Sequence, residues 1–344
     1  MQTDVRKNVS VHYVIIRSLR KVPCLQESWE ETPMNKEIIF SMNTAFRGEF
    51  NIHGYSYGRG DKAACIVGSM RGNEYQQLYM CSLLAQRLAE IEAQGDVVAG
   101  KEILLIPTLN YSSMNAEKKK WISDDSDINR SFPGNIEGTA TSRIAATLMD
   151  RVKDYTYGIQ FASFYLQGIS IPHVRMMETG TESTSLANLF GMPYVLTGDT
   201  RSFDTATLNY NWQKTGTQAF SVYSATTDTL DGESAKMAVS AVLRFLTRMG
   251  IIRYESHGGY ISTTLKEKDL VSVRADEAGF FRCIVGVNQE VKRGQVLAEI
   301  INPMDGNIKA EVLAPTDGIV FFVQNSPLVF QNVVIYKIVR RMHQ

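Results

Sequence analysis

Ala63-Ala64-Cys65-Ile66-Val67-Gly68 is an unbroken apolar run. A run of this length with no polar alternation fits a strand buried on both faces, the signature of a parallel sheet covered by helices. Ser69-Met70-Arg71-Gly72-Asn73-Glu74 follows directly. Glu74 to Ala93 then carries Leu78, Cys81, Leu84, Leu88 and Ile91 at helical spacing, with Gly95 where a helix would stop. Strand, short polar turn and amphipathic helix in that order predict a crossover unit.

The same alternation continues outward. Glu102 to Leu109 reads as the next strand, and a long polar loop runs from Asn110 to Asn135. Thr141 to Val152 reads as a helix, Tyr155 to Ser163 as extended chain and Ala219 to Ala225 as a strand. Asp231 to Met249 is a long amphipathic helix with Ala238, Ala241, Val242, Phe245 and Met249 on one face. The expected class is α/β, a mostly parallel or mixed sheet flanked by helices. Beyond about Gly258 the helical period disappears. Short strands alternate with turns at Gly279-Phe280, Lys292-Arg293-Gly294, Asp305-Gly306 and Asp317-Gly318, which predicts a separate C-terminal all-β module. The expected division is therefore 1–40 as an N-terminal extension, 41–257 as the α/β domain and 258–344 as the β domain. Met34 heads a more ordinary beginning than the apolar stretch Val9 to Val22, which is too short to span a bilayer and is closely followed by charges.

Composition narrows the function classes. Among 344 residues, 36 Lys+Arg balance 36 Asp+Glu, so no net charge draws the chain to nucleic acid or an anionic membrane. Hydrophobic residues make up 44%, enough for a large core. Cys24, Cys65, Cys81 and Cys283 are scattered without a CxxC pair, which argues against a disulfide framework and fits the cytoplasm. The expected partner is a small carboxylated molecule, with self-association into a homo-oligomer left open.

Several motifs stand in a fixed order. Arg71-Gly72-Asn73-Glu74 follows the first strand, and Ile106-Pro107-Thr108-Leu109-Asn110 ends the second. Asp127-Ile128-Asn129-Arg130-Ser131-Phe132-Pro133-Gly134 lies in the long loop, and Pro172-His173-Val174-Arg175 comes later. The stretches Glu290 to Leu297 and Ala314 to Val320 are similar to the barrel-sandwich fold of lipoyl and biotinyl carriers. Their modifiable lysine is missing from the turn Asn302-Pro303-Met304-Asp305-Gly306, so the module reads as structural. Together, from about Phe50 to Val339, these motifs resemble the succinylglutamate desuccinylase/aspartoacylase family, which has the zinc carboxypeptidase fold.

That resemblance implies a zinc ion held by His and Glu of a His-Gly-x-Glu motif and by a later His, a Glu as general base, and an Asn-Arg pair gripping a substrate carboxylate. It implies deacylation of an N-acyl amino acid or related amide. Carried onto this chain, Glu74 is the surviving metal ligand, Arg71 and Gln160 replace the two histidines, and Tyr223 replaces the base. A guanidinium has no lone pair to give a metal. Arg71 is expected either to pair with Glu74 or to form a dianion pocket with Arg130. Asn129 and Arg130 remain as the carboxylate clamp, because a planar guanidinium suits bidentate recognition.

Arg175 is a candidate second substrate contact. Asp127 reads as a loop-ordering acceptor, His173 as more often structural than a ligand, and Lys118, Lys119 and Lys120 as a solvated basic face. His53 and His257 have no assigned role. The segment Asp204 to Trp212 is a candidate pocket lining. Two readings follow: a hydrolase of a small carboxylated N-acyl compound with an altered or absent zinc site, with Tyr223 and Glu74 as its catalytic groups, or a catalytically inactive pseudoenzyme that keeps the carboxylate clamp.

Overall fold

The computed structural model describes residues 35–44, 48–180 and 183–340; the apolar stretch at 9–22 lies outside them. Ten strands precede residue 267: β1 (Asn35–Thr44), β2 (Gly48–Gly58), β3 (Gly60–Ser69), β4 (Gly100–Thr108), β5 (Tyr157–Ala162), β6 (Ile169–Ser170), β7 (His173–Glu178), β8 (Tyr194–Asp199), β9 (Gln218–Tyr223) and β10 (Thr263–Lys266). The α-helices are α1 (Tyr75–Ala93), α2 (Tyr111–Met114), α3 (Ala140–Val152), α4 (Thr184–Asn188), α5 (Leu208–Lys214) and α6 (Gly232–Arg248).

Nine of these strands form one sheet in the order β1-β2-β4-β3-β5-β9-β7-β8-β10. Its centre, β4-β3-β5-β9, is parallel, as the continuous apolar run predicts. β3 serves both faces of the sheet. Ala64 and Ile66 join the core under α1 and α6, while Cys65 and Val67 join the core under α3 and α5, with all four fully buried. Leu84 and Leu88 of α1 and Val242 and Phe245 of α6 fill the first layer; Leu148 and Trp212 fill the second. Each such large side chain contributes roughly 1.5–3 kcal/mol by leaving water. α1 ends where expected, with Gly95 taking the left-handed backbone at φ +76°.

The C-terminal strands are β11 (Leu270–Arg274), β12 (Gly279–Cys283), β13 (Glu290–Val291), β14 (Val296–Ile301), β15 (Ile308–Leu313), β16 (Gly318–Val323), β17 (Leu328–Val329) and β18 (Val334–Arg340). They pair antiparallel in two sheets that share a core of Leu297, Ile300, Val320, Ile335 and Ile338.

Two expected boundaries differ from the structure. β1 runs through residue 40 as a full partner of β2, so the sheet begins before the assumed N-terminal limit. The all-β module is not separate. β10 lies past residue 258 yet continues the large sheet in parallel with β8, and β6 pairs with β16. Ile171 and Leu196 share a buried cluster with Leu270, Phe321 and Phe322. The described residues therefore pack as one compact unit.

Candidate active site

Parallel strands place their following loops on one side of the sheet, where open α/β sheets form a ligand crevice. Here the loops after β3 and β5, the C-terminal end of β9 and the 110–135 loop enclose a cavity of about 530 Å³. Arg71, Asn129, Arg130, Gln160, Arg175 and Tyr223 all line it, so residues spread over about 150 positions of sequence meet in one place.

The loop after β3 is drawn tight by Glu74. Its Oε2 accepts the backbone N–H groups of Met70 and Arg71 at 2.8 and 3.1 Å. Its Oε1 accepts from Arg71 Nη1 at 3.2 Å and from Ser163 Oγ at 2.6 Å. The loop also presses on its neighbour. A Cβ added at Gly72 would lie 2.2 Å from the Lys118 carbonyl oxygen, so only glycine fits without a shift.

Arg71 does pair with Glu74, and the sequence reading missed the rest of its environment. Asp127 takes the guanidinium in a fork, with Nε to Oδ1 at 3.0 Å and Nη2 to Oδ2 at 2.8 Å. Ser163 Oγ accepts from Nη1 at 3.2 Å. A single Nη2 hydrogen is left without a protein partner. Burial acts against the charge, but Glu74 and Asp127 overcome it and raise the guanidinium pKa. Four of the five Arg71 donor hydrogens are thus held by the protein, which leaves one for any substrate contact from the cavity wall. Asp127 does order its loop, accepting from Asn129 N at 3.1 Å, and holds Arg71 as well.

Arg130 contrasts with Arg71. It has no acidic partner within ion-pair distance among the described residues; its Nη1 meets only the Asn129 carbonyl at 3.3 Å, and its guanidinium lies 5.1 Å from the Phe203 ring. Burial and the nearby Arg71 both disfavour its charge. Asn129 adds a buried Oδ1 without a hydrogen-bond partner. An arginine without an ion-pair partner and an amide oxygen without a donor thus stand side by side at the cavity wall.

Arg175 also carries a protein partner. It lines the cavity, but its Nη2 is bonded to Glu267 Oε2 at 3.1 Å, and Arg201 takes Glu267 Oε1 at 3.0 Å. Glu267 and Arg201 were not found from the sequence. Glu267 follows a four-residue polar strand, and neither residue sits in a recognisable string.

Tyr223 stacks on His173 with ring centroids 4.5 Å apart and planes 4° apart. Burial raises the Tyr223 pKa, with Arg175 opposing. His173 is fully buried, and its Nδ1 lies 2.7 Å from the Ile171 carbonyl. A carbonyl only accepts, so Nδ1 carries the proton, and burial pushes the imidazole down to about 4. Nε2 is left as an unpartnered acceptor.

From Asp204 to Trp212, Asp204, Thr207 and Asn209 reach the cavity wall, whereas Leu208 and Trp212 enter the core. Of the three lysines, Lys119 lines the cavity and Lys120 pairs with Asp125 at 2.8 Å.

This is a sheet-end cavity of the kind that holds small ligands. Residues 61–248 match the family model described as the succinylglutamate desuccinylase/aspartoacylase catalytic domain, and the chain belongs to that family. It is 24% identical, over 285 residues covering 74% of this chain and 75% of the other, to the N-alpha-acetyl-L-2,4-diaminobutyric acid deacetylase of Halomonas elongata. Two solved structures share the fold. A succinylglutamate desuccinylase/aspartoacylase from Rhodobacter sphaeroides has a TM-score of 0.73 at 20% identity, covering 90% of this chain and 96% of its own. The product-bound ectoine utilization protein EutE (DoeB) from Ruegeria pomeroyi has a TM-score of 0.72 at 18% identity, covering 89% and 96%.

The zinc implied by the family requires about three protein ligands, usually including imidazoles. At the positions to which the motif resemblance points stand Arg71, Glu74 and Gln160. The guanidinium lies against the one carboxylate, and Gln160 Nε2 is turned to Met70 Sδ at 3.4 Å. No group of three or more His, Cys, Asp or Glu suited to a metal occurs among the described residues. This donor set does not fit zinc. No described helix is long and apolar enough to cross a membrane.

Proposed function

We propose that this chain binds a small carboxylate-bearing N-acyl amino acid, or a related amide, in the sheet-end cavity, with an arginine–carboxylate cluster standing where the family's zinc would be. The observation that carries this reading is the contrast between the two arginines. Arg71 is neutralised by Glu74 and Asp127, while Arg130 faces the same cavity without an acid. Arg130 receives the ligand carboxylate through its fork, and Asn129 orients it. Tyr223 closes the wall beneath.

Binding of N-acetyl amino acids and dicarboxylates is the direct test, by calorimetry on wild type, Arg130→Ala and Arg130→Lys. Alanine is expected to weaken binding about 10- to 100-fold, the equivalent of roughly 1.5–3 kcal/mol for a charged hydrogen-bonded contact. Lysine keeps the charge without the fork and is expected to recover little. Unchanged affinity in Arg130→Ala would reject the clamp.

Metal-independent deacylation is a second reading, favoured by one distance. Ser163 Oγ donates to Glu74 Oε1 at 2.6 Å on the cavity wall, so a hydroxyl and a carboxylate acceptor stand together with Tyr223 nearby as a donor. Hydrolysis of N-acetyl amino acids by chelator-treated protein, abolished in Ser163→Ala, would support it over simple binding.

A further inference from the structure

A second cavity, of about 310 Å³, lies behind the first and shares Tyr165, Arg201 and Glu267 with it. Lys337 of β18 lines this cavity. The residue is only 6% exposed, an unusual state for a lysine. β18 places it beside Ser272 of β11, and its Nζ donates to Ser272 Oγ at 3.2 Å. Nζ also lies 5.6 Å from the centre of the Tyr165 ring. A hydroxyl and an aromatic face solvate an ammonium only partly, because neither carries a negative charge.

No carboxylate lies within ion-pair distance of Lys337 among the described residues. Glu267, the acid nearest in influence, is divided between Arg175 and Arg201. Glu178 is turned towards Lys266, at 3.9 Å. An ammonium has three donors, and Ser272 uses one. The remainder belong to a largely buried cation on the wall of a partly open cavity, with the guanidinium of Arg201 lining both cavities.

We propose that the second cavity is a binding site for a small oxyanion, a compact carboxylate or phosphate, received by the ammonium of Lys337 with Arg201 closing over it. The charge balance favours an anion. With Lys266–Glu178 and Arg201–Glu267 paired, Lys337 and Lys268 face a single further acid, Asp199. The cavity volume of about 310 Å³ admits such an anion together with water. Its occupant would compete with Glu267 for Arg201 and so reach the wall of the first cavity. This site does not rest on the reading of Arg71 or of the metal position, and its test separates it from the Arg130 clamp.

Calorimetric titration with succinate and with inorganic phosphate, each on wild type, Lys337→Met and Arg130→Ala, decides the matter. Methionine keeps the length of the buried stem and removes the charge. The expected result is that at least one of the two anions shows a binding component in wild type that persists in Arg130→Ala and is weakened at least tenfold in Lys337→Met, whatever Arg130→Ala does to succinate in the first cavity. Whichever anion shows this pattern identifies the oxyanion class. Absence of binding by both, or affinity indifferent to Lys337→Met, overturns the proposal. Should Lys337→Met fail to fold, wild-type crystals soaked in selenate give the same answer. An anomalous peak within hydrogen-bond distance of Lys337 Nζ supports the site; selenate elsewhere only, as an adventitious ion only, overturns it.

Discussion

Arg71 and Asp127, 56 residues apart in the chain, meet through two parallel N–H···O bonds of 3.0 and 2.8 Å. The long loop after β4 is thus tied to the loop after β3 by a charge-assisted fork. The same guanidinium holds Glu74, so one cation is shared between two carboxylates and the three-group cluster keeps one net negative charge.

This sharing changes the expected cost of losing either acid. Removal of a sole partner from a buried arginine would cost about 3–5 kcal/mol. Asp127→Asn and Glu74→Gln each leave Arg71 one carboxylate, so each is expected to cost less, about 1–2 kcal/mol. The double variant strands the charge and should exceed the sum of the singles. Urea unfolding of the four proteins, read as a double-mutant cycle, measures the coupling. Strict additivity would show that Arg71 does not depend on both.

Zinc content is the next expectation. Protein purified without chelator should contain no stoichiometric zinc by elemental analysis, because Arg71 and Gln160 stand in ligand positions. Arg71→His with Gln160→His should gain zinc, since two imidazoles then join Glu74. One tightly bound zinc per wild-type chain would refute the replacement.

His173 supplies a pH dependence. Its imidazole is pushed from the usual 6.5 down to about 4 by burial, so between these values the unfolded chain binds the extra proton. The contribution is fully present above pH 6.5 and is lost as pH falls towards 4, by roughly 3 kcal/mol in all. His173→Gln keeps a donor for the Ile171 carbonyl and does not titrate. Its unfolding free energy should fall less steeply over that range than that of wild type; parallel curves would contradict the assignment.

Gly72→Ala tests the close approach of the two loops. The new methyl would lie 2.2 Å from the Lys118 carbonyl oxygen and 2.5 Å from the Ser113 carbonyl carbon, both backbone atoms. A loss of about 1–3 kcal/mol in thermal or urea unfolding is expected. A neutral substitution would mean the loops separate freely.

The central sheet was legible because β3 and β4 are apolar on both faces and α1 and α6 keep a clean helical period. The candidate site was legible where residues sit in ordered strings, as Glu74, Asn129 and Arg130 do. The partners of those residues were not. Local spacing suggested the Arg71–Glu74 pair, but nothing in spacing links Arg71 to Asp127 across 56 residues. Likewise Glu267 becomes a wall residue only because the short strand before it docks on β8. β10 reads Thr263-Thr264-Leu265-Lys266, largely exposed and without the apolar alternation that marks a strand. β6 is two residues long, too brief to carry any period. The misplaced boundary at residue 258 has the same origin.

β10 has a further consequence for how this chain can be divided. It pairs in parallel with β8 from Tyr194 to Thr197, satisfying backbone groups that would otherwise form an open edge. A fragment ending at residue 257 would expose that edge, with Val195 and Leu196 behind it, and would uncover the apolar patch normally held against Phe321 and Phe322. Unpaired strands of this kind template intermolecular pairing. The strand past residue 258 is thus part of the large sheet itself, and the α/β region is not an autonomous building block that can be excised at the point where its sequence pattern stops.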